Sequence, residues 1–258
     1  MIRLALALAL LPGAGMAAPP PGLLGAVLHP GWVTAEGNRM AAVELTLEPG
    51  WKTYWRSPGE AGIEPLFDWS ASENAGRVTY HWPAPEVIDS GGMLALGFEE
   101  RLLLPVEIAP LRPGEPVALA LTMDLGLCRD ICIPAHLSLA APPPGESPDP
   151  AIEAALSRGP AEGTPLPACE TTPTADGFRL AARLPEAAAE AAAIELATGE
   201  GPAPVWVSQA ELSVEDGTLV ARADAVPEAD DYAFDPATLR LTLIGNGGAV
   251  EYAGCAPG

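Results

Sequence analysis

Four cysteines are the residues of this 258-residue chain best suited to do chemistry: Cys128, Cys132, Cys169 and Cys255. Four thiols allow three pairings, and spacing separates them only in part. Cys128 and Cys132 flank three residues in Leu127-Cys-Arg-Asp-Ile-Cys-Ile-Pro134, whereas Cys169 and Cys255 bracket most of the last third of the chain. If Cys128 and Cys132 lie on two strands joined by Arg129-Asp130-Ile131, they can face each other across a tight hairpin. Paired Cα atoms there are ~4.5 to ~5.5 Å apart, within disulfide range. A strained, accessible bond is easier to reduce than a relaxed one, which is what an electron carrier needs. Exchange proceeds by thiolate attack through a mixed disulfide, so one of the two sulfurs must be reachable, and Cys132 is the expected attacker. Arg129 favours a thiolate at Cys128, and Asp130 opposes it.

The motif by itself leaves four readings open: a redox pair, an inert staple, a copper or zinc site, and a pair of buried free cysteines. Zinc normally takes four ligands, and His136 is the only histidine nearby; copper(I) can take the thiolates of Cys128 and Cys132 with a methionine such as Met93 or Met123. Cys169 and Cys255 read as a structural disulfide, since closing so long a loop restricts the unfolded chain by on the order of 4 kcal/mol. His29, His81 and His136 sit in no recognisable nucleophile motif, and no glycine-rich phosphate loop occurs, so hydrolase and nucleotide chemistry have no carrier.

The elements that must position these cysteines are strands. From Gly22 to about Ala140 short alternating apolar stretches are separated by turn signals, as in Ala41–Leu47, Leu102–Ile108 and Val117–Met123, an all-β pattern most simply met by an immunoglobulin-like sandwich. Five of the six tryptophans fall here (Trp32, Trp51, Trp55, Trp69 and Trp82) and are expected in the core or at its rim. Eight prolines between Ala141 and Pro167 mark a linker, within which Asp149-Pro150 opens a short helix closed by Gly159. Alternation returns in Gly177–Leu184 and Leu239–Ile244, with a hairpin turn at Asp216-Gly217. The alanine run Ala187–Ala193 fits a helix too poorly to assign. The expected organisation is two immunoglobulin-like β-sandwich domains: 1–18 signal peptide, 19–141 first sandwich, 142–167 linker with a short helix, and 168–258 a second, smaller β domain.

Arg3, the apolar run Leu4–Leu11 and the small residues up to Ala18 have the pattern of a cleavable secretory signal. The apolar run is far short of the ~20 residues that span a bilayer, and none later is long enough, so the chain is expected to be exported to an oxidising compartment, the periplasm, without spanning the membrane. Acidic residues outnumber basic ones 34 to 13, a net charge of −21 that repels phosphate backbones and argues against nucleic acid as a partner.

Gly50-Trp-Lys-Thr-Tyr-Trp-Arg-Ser-Pro-Gly-Glu-Ala-Gly62, His81-Trp-Pro-Ala-Pro85, Gly97-Phe-Glu-Glu-Arg-Leu-Leu-Leu-Pro105 and Cys128-Arg-Asp-Ile-Cys-Ile-Pro134, in this order, resemble the N-terminal periplasmic domain of DsbD-type protein-disulfide reductases. The branch they are most similar to is the ScsB-like one, associated with suppression of copper sensitivity. The resemblance covers roughly Gly22 to Ala140 and weakens beyond. It implies thiol:disulfide interchange through Cys128 and Cys132, with electrons received from a membrane-embedded thiol carrier and passed to periplasmic thioredoxin-like proteins, and with no organic cofactor. It also implies a loop capping the pair, here Asp89 to Phe98, with Met93, Leu96 or Phe98 as shields. Lys52, the only lysine, stands where many relatives have histidine, and Ala135 where an acidic residue is expected. Relatives of the complete type continue into a transmembrane conduit and a thioredoxin-like domain, so separately encoded partners are expected to supply both. Two alternatives remain: a copper-binding, copper-tolerance module using the same thiols, and a non-catalytic adaptor whose disulfides are both structural.

Overall fold

The computed structural model describes residues 19–185, 187–196, 205–229, 232–245 and 247–256. The signal-peptide expectation falls on residues 1–18, outside the described residues. The first half of the chain forms β1 (Leu23–Val33), β2 (Arg39–Leu47), β3 (Lys52–Tyr54), β4 (Leu66–Asp68) and β5 (Ala75–Tyr80). It continues with β6 (Glu86–Ser90), β7 (Met93–Glu99), β8 (Arg101–Pro110), β9 (Ala120–Cys128) and β10 (Cys132–Ala140). One sheet runs β1-β2-β8-β5 and the other β10-β9-β3-β7-β6, with β4 alongside β9. The two close on one apolar core that includes Leu45, Trp55, Leu104, Leu121 and Met123.

Strand β2 explains a sequence that is apolar at nearly every position. Ala41, Val43 and Leu45 face the sandwich core, while Met40 and Ala42 on its other face are covered by Ile152. Ile152 belongs to α1 (Pro150–Leu156), which Asp149 caps by accepting the Ala151 amide, with Pro150 in the first turn. The proline-rich segment around α1 is thus docked along the first sandwich rather than loose. Arg39, 3% exposed, fastens its start by donating to the carbonyls of Pro30 (2.7 Å) and Pro142 (2.9 Å). The Gly145 N–H adds a hydrogen bond to the Gly31 carbonyl.

The second half forms β11 (Ala161–Glu162), β12 (Ala168–Pro173), β13 (Phe178–Pro185), β14 (Ala191–Leu196) and β15 (Val205–Val207). Then come β16 (Glu211–Glu215), β17 (Thr218–Pro227), β18 (Leu239–Gly245) and β19 (Gly248–Ala253). Its sheets, β11-β19-β18-β14 and β12-β13-β17-β15 with β16 beside β17, enclose a separate core containing Leu180, Ile194, Leu219 and Leu241. The fold is all-β, as expected, and the β16–β17 turn at Asp216-Gly217 has positive φ at both residues (49° and 78°), the geometry of a two-residue hairpin loop. Cys169 and Cys255 are bonded, with Cα atoms 5.8 Å apart.

The alanine run proves to hold a strand, for a steric reason. In β14, Ala192, Ile194 and Leu196 face the second core, whereas Ala191 and Ala193 join the first core, together with Ile244 and Ala249. On the face that β14 turns to the first sandwich, the closeness of the two sandwiches leaves room at Ala191 and Ala193 for little more than a methyl group.

Docking of the helix is testable at Ile152, which is 1% exposed. Ile152→Ala is expected to cost about 2–3 kcal/mol in chemical denaturation, by lost burial and the cavity left behind. A change below about 0.5 kcal/mol, the level of an ordinary surface substitution, would show that the segment does not pack there.

Candidate functional site

Cys128 ends β9 and Cys132 begins β10, and the register sets the two directly opposite each other. Arg129, Asp130 and Ile131 close the hairpin, with the Arg129 amide bonded to the Ile131 carbonyl. The cysteines are disulfide-bonded, their Cα atoms 4.1 Å apart. Period-two alternation decides which face carries the bond. Leu121, Met123, Leu125 and Leu127 of β9 point into the core, so Cys128 points to the outer face of the sheet. There it packs against Tyr54 of β3, Ile88 of β6 and Ala95 of β7, with Ala61 from the loop after β3 laid alongside.

The two sulfur-bearing residues are unequal. Cys128 is 1% exposed, whereas Cys132 is an exposed residue. The Tyr54 hydroxyl lies 3.3 Å from Cys132 Sγ and donates to the Ala61 carbonyl at 3.2 Å. Burial raises the Tyr54 phenol above its ordinary value, so it keeps its proton and remains a donor through the physiological range. Lys52, 7% exposed, pairs directly across from Cys128 on β3. Directly paired residues share a face of the sheet, so the only lysine in the chain stands beside the buried cysteine. Arg129 is drawn the other way: its Nε lies 3.1 Å from Asp130 Oδ2 and its guanidinium 5.5 Å over the Trp51 ring.

Beside the hairpin runs a shallow groove lined by Ile63, Leu66, Leu125, Pro134 and Ala135, together with Glu64, Asp124 and His136. Ile131 and Leu66 are 70% and 61% exposed, so apolar surface flanks Cys132 on the open side.

The expected shields lie elsewhere. Leu96 and Phe98 are buried in the sandwich core, Phe98 stacking on Trp82, and Met93 is 51% exposed at the tip of the β6–β7 hairpin. On β7 the even-numbered Leu94, Leu96 and Phe98 face inward, which leaves Ala95 to meet Cys128. The cover over the disulfide is instead Tyr54, Ala61, Ile88 and Ala95. Counting alternation outward from the inward-facing Trp55 would have found Tyr54. Ile88 carried no comparable signal. Met123 is buried in the core on the face opposite Cys128, out of place as a third copper ligand. Among the described residues, no group of three or more His, Cys, Asp or Glu side chains is arranged to hold a metal.

Fold and site together define a protein of two packed β-sandwiches whose first sandwich carries a half-accessible hairpin disulfide on its outer sheet face. Residues 27–143 match the family model for the N-terminal domain of the thiol:disulfide interchange protein DsbD. The matched segment is the one in which the sequence resemblance to that family was read, and it contains both Cys128 and Cys132. Among solved structures, the crystal structure of the N-terminal periplasmic domain of ScsB from Proteus mirabilis is similar over 93% of this chain and 100% of that one, with a TM-score of 0.61 and 21% identity. That likeness extends the fold correspondence to the second sandwich. Comparison with curated proteins finds no match.

Glu64 in the groove carries a testable pH signature. Although the residue is largely exposed, partial desolvation of its carboxyl in the groove, and then the neighbouring Glu195 carboxylate, hold that group above its ordinary value. The folded state therefore binds that proton more tightly than the unfolded chain. The ionised group lowers stability at neutral pH and has no effect below the ordinary carboxylate range. Glu64→Gln is expected to raise the midpoint of thermal unfolding slightly near neutral pH, the effect being reduced by solvent screening at this exposed position, with the gain disappearing towards about pH 4. A gain independent of pH would point to packing instead.

Proposed function

We propose that this chain is a periplasmic electron carrier that exchanges two electrons through Cys128 and Cys132. It accepts them from a membrane-embedded thiol carrier and delivers them to thioredoxin-like oxidoreductases. The observation that carries the reading is the asymmetry of the pair, one cysteine buried and one exposed at the end of a hairpin. It is supported by the DsbD-type match of the surrounding domain. Among the described residues no helix is long and apolar enough to cross a membrane, so the membrane step is assigned to a partner.

In the loading step a partner thiolate attacks Cys132 Sγ. The Cys128–Cys132 bond breaks, its electron pair goes to Cys128, and a mixed disulfide forms at Cys132. The partner's second thiolate then attacks its own bonded sulfur, forming the partner's disulfide and releasing Cys132 as a thiolate. Delivery is the reverse sequence with an oxidised partner. The Cys132 thiolate opens the partner's disulfide, and Cys128 then closes on Cys132 to release the partner reduced. Lys52 offsets negative charge at Cys128, and once Cys132 is a thiolate the Tyr54 hydroxyl turns its single proton from the Ala61 carbonyl to that sulfur. Cys169–Cys255 takes no part and serves as a staple of the second sandwich.

Mass mapping of alkylated cysteines across a glutathione or dithiothreitol series tests the reading. Cys128–Cys132 is expected to open well ahead of Cys169–Cys255, above the roughly −300 mV typical of structural disulfides. Equal resistance of both bonds would make the pair a second staple and leave the adaptor reading in its place. A Cys128→Ser chain is expected to accumulate mixed disulfides through Cys132, and Cys132→Ser to accumulate few, because the remaining thiol is buried. Tyr54→Phe removes a donor to the thiolate, so the pKa of Cys132 in the reduced protein is expected to rise by about one unit, read from the pH dependence of alkylation. An unchanged profile would exclude Tyr54 from this role.

A further inference from the structure

Two segments of the first sandwich cover the disulfide: the loop after β3, through Ala61, and the β6–β7 hairpin, through Ile88 and Ala95. The second sandwich braces both. Arg56, which opens that loop two residues beyond Tyr54, forms a forked pair with Glu195 of β14, Nε to Oε1 at 3.0 Å and Nη2 to Oε2 at 2.9 Å. Its Nη2 also binds Glu251 of β19, and its guanidinium lies 4.2 Å over the Trp55 ring. Further along the loop, a Cβ on Gly59 would stand 2.4 Å from Gln209 Oε1, and Gln209 Nε2 donates to the Ala192 carbonyl. On the hairpin side, Glu86 and Val87 face Glu190, Ile244 and Gly248 across a narrow cleft. Alternation accounts for the meeting: Glu195 lies on the face of β14 that carries Ala191 and Ala193 into the first core.

We infer that Arg56 is a positioning residue for thiol exchange at Cys128–Cys132, through which the second sandwich holds the cover over the disulfide. The inference rests on the exchange reading proposed above. The clamp is a partly buried one, with side-chain exposures of 17% for Arg56, 24% for Glu195 and 26% for Glu251. Taking away the guanidinium leaves Glu195 facing Glu64 of the same loop, with Glu251 close by on β19, without the cation that joins the two carboxylates of the second sandwich. Like charges in a half-buried setting repel, so the loop moves off the second sandwich. Ala61 moves with it, and the Tyr54 hydroxyl loses the carbonyl that orients it towards Cys132. The second sandwich therefore governs how readily an incoming thiolate reaches the pair.

The test compares rates of reduction by dithiothreitol in the full chain, each disulfide followed separately by alkylation and mass mapping. Cys169–Cys255, within the second sandwich, serves as an internal control. Arg56→Gln is expected to open Cys128–Cys132 about tenfold faster with Cys169–Cys255 unchanged, as for a local opening rather than global unfolding. Glu195→Gln, which leaves Glu251 as a partner, is expected to give a smaller acceleration. The charge swap Arg56→Glu with Glu195→Arg is expected to bring the rate back towards that of the unaltered chain. Three results would overturn the assignment: an unchanged Cys128–Cys132 rate in Arg56→Gln, equal acceleration of both bonds, or no recovery in the swap. Each is distinct from failure of the exchange reading, in which Cys128–Cys132 of the unaltered chain resists reduction as firmly as Cys169–Cys255.

Discussion

The pairing of β9 with β10 sets every relation at the site, because a strand offers its side chains to alternate faces and a slip of one residue exchanges them. With Cys128 opposite Cys132, four large apolar residues of β9 fall into the core and the disulfide falls outside it. The same pairing runs on to Ala120 and Ala140, so the hairpin is held along its whole length by burial of one face. A disulfide at the end of such a ladder can open and close without disturbing it. The core supplies the rigidity and the chemistry stays on the surface.

From that constraint follows the division of labour between the sulfurs. β3, β6 and β7 supply the residues packed over Cys128, while Cys132 lies on β10, the strand that ends the sheet among the described residues. Tyr54 touches both parts of the arrangement, a buried ring against Cys128 and a hydroxyl at Cys132. Its place on the sheet is in turn fixed by Trp51 and Trp55, buried on either side of it in the sequence and facing the opposite way.

Much of this was legible in the sequence, and the part that was not has physical causes. The strand pattern, the Asp216-Gly217 turn and the opposed cysteines follow from local rules of alternation and turn chemistry. The cover over the disulfide does not, since Leu96 and Phe98 differ from Ile88 only in which neighbours a sheet of six strands brings near. Proline content announced a linker but gave no sign that Ala161–Glu162 joins a sheet of the second sandwich, nor that Arg39 and Ile152 dock the segment, since the docking contacts join residues more than a hundred positions apart. The alanine run stayed unassigned for a related reason. Alanine favours helix in isolation, and its presence in β14 reflects the narrow space towards the first sandwich, a tertiary demand that outweighs propensity.

That doubly buried strand has an evolutionary consequence. Residues serving one core can change size when neighbours compensate within the same domain, but those of β14 answer to two cores at once. A larger side chain at Ala191 or Ala193 presses on the first sandwich, and one at Ala192 on the second, while Glu195 in the same strand meets Arg56. The two sandwiches are thereby bound to a shared history. A stretch that looks like compositional drift is among the least free to vary, and grafting a foreign sandwich onto the first domain would require rebuilding this strand before any other.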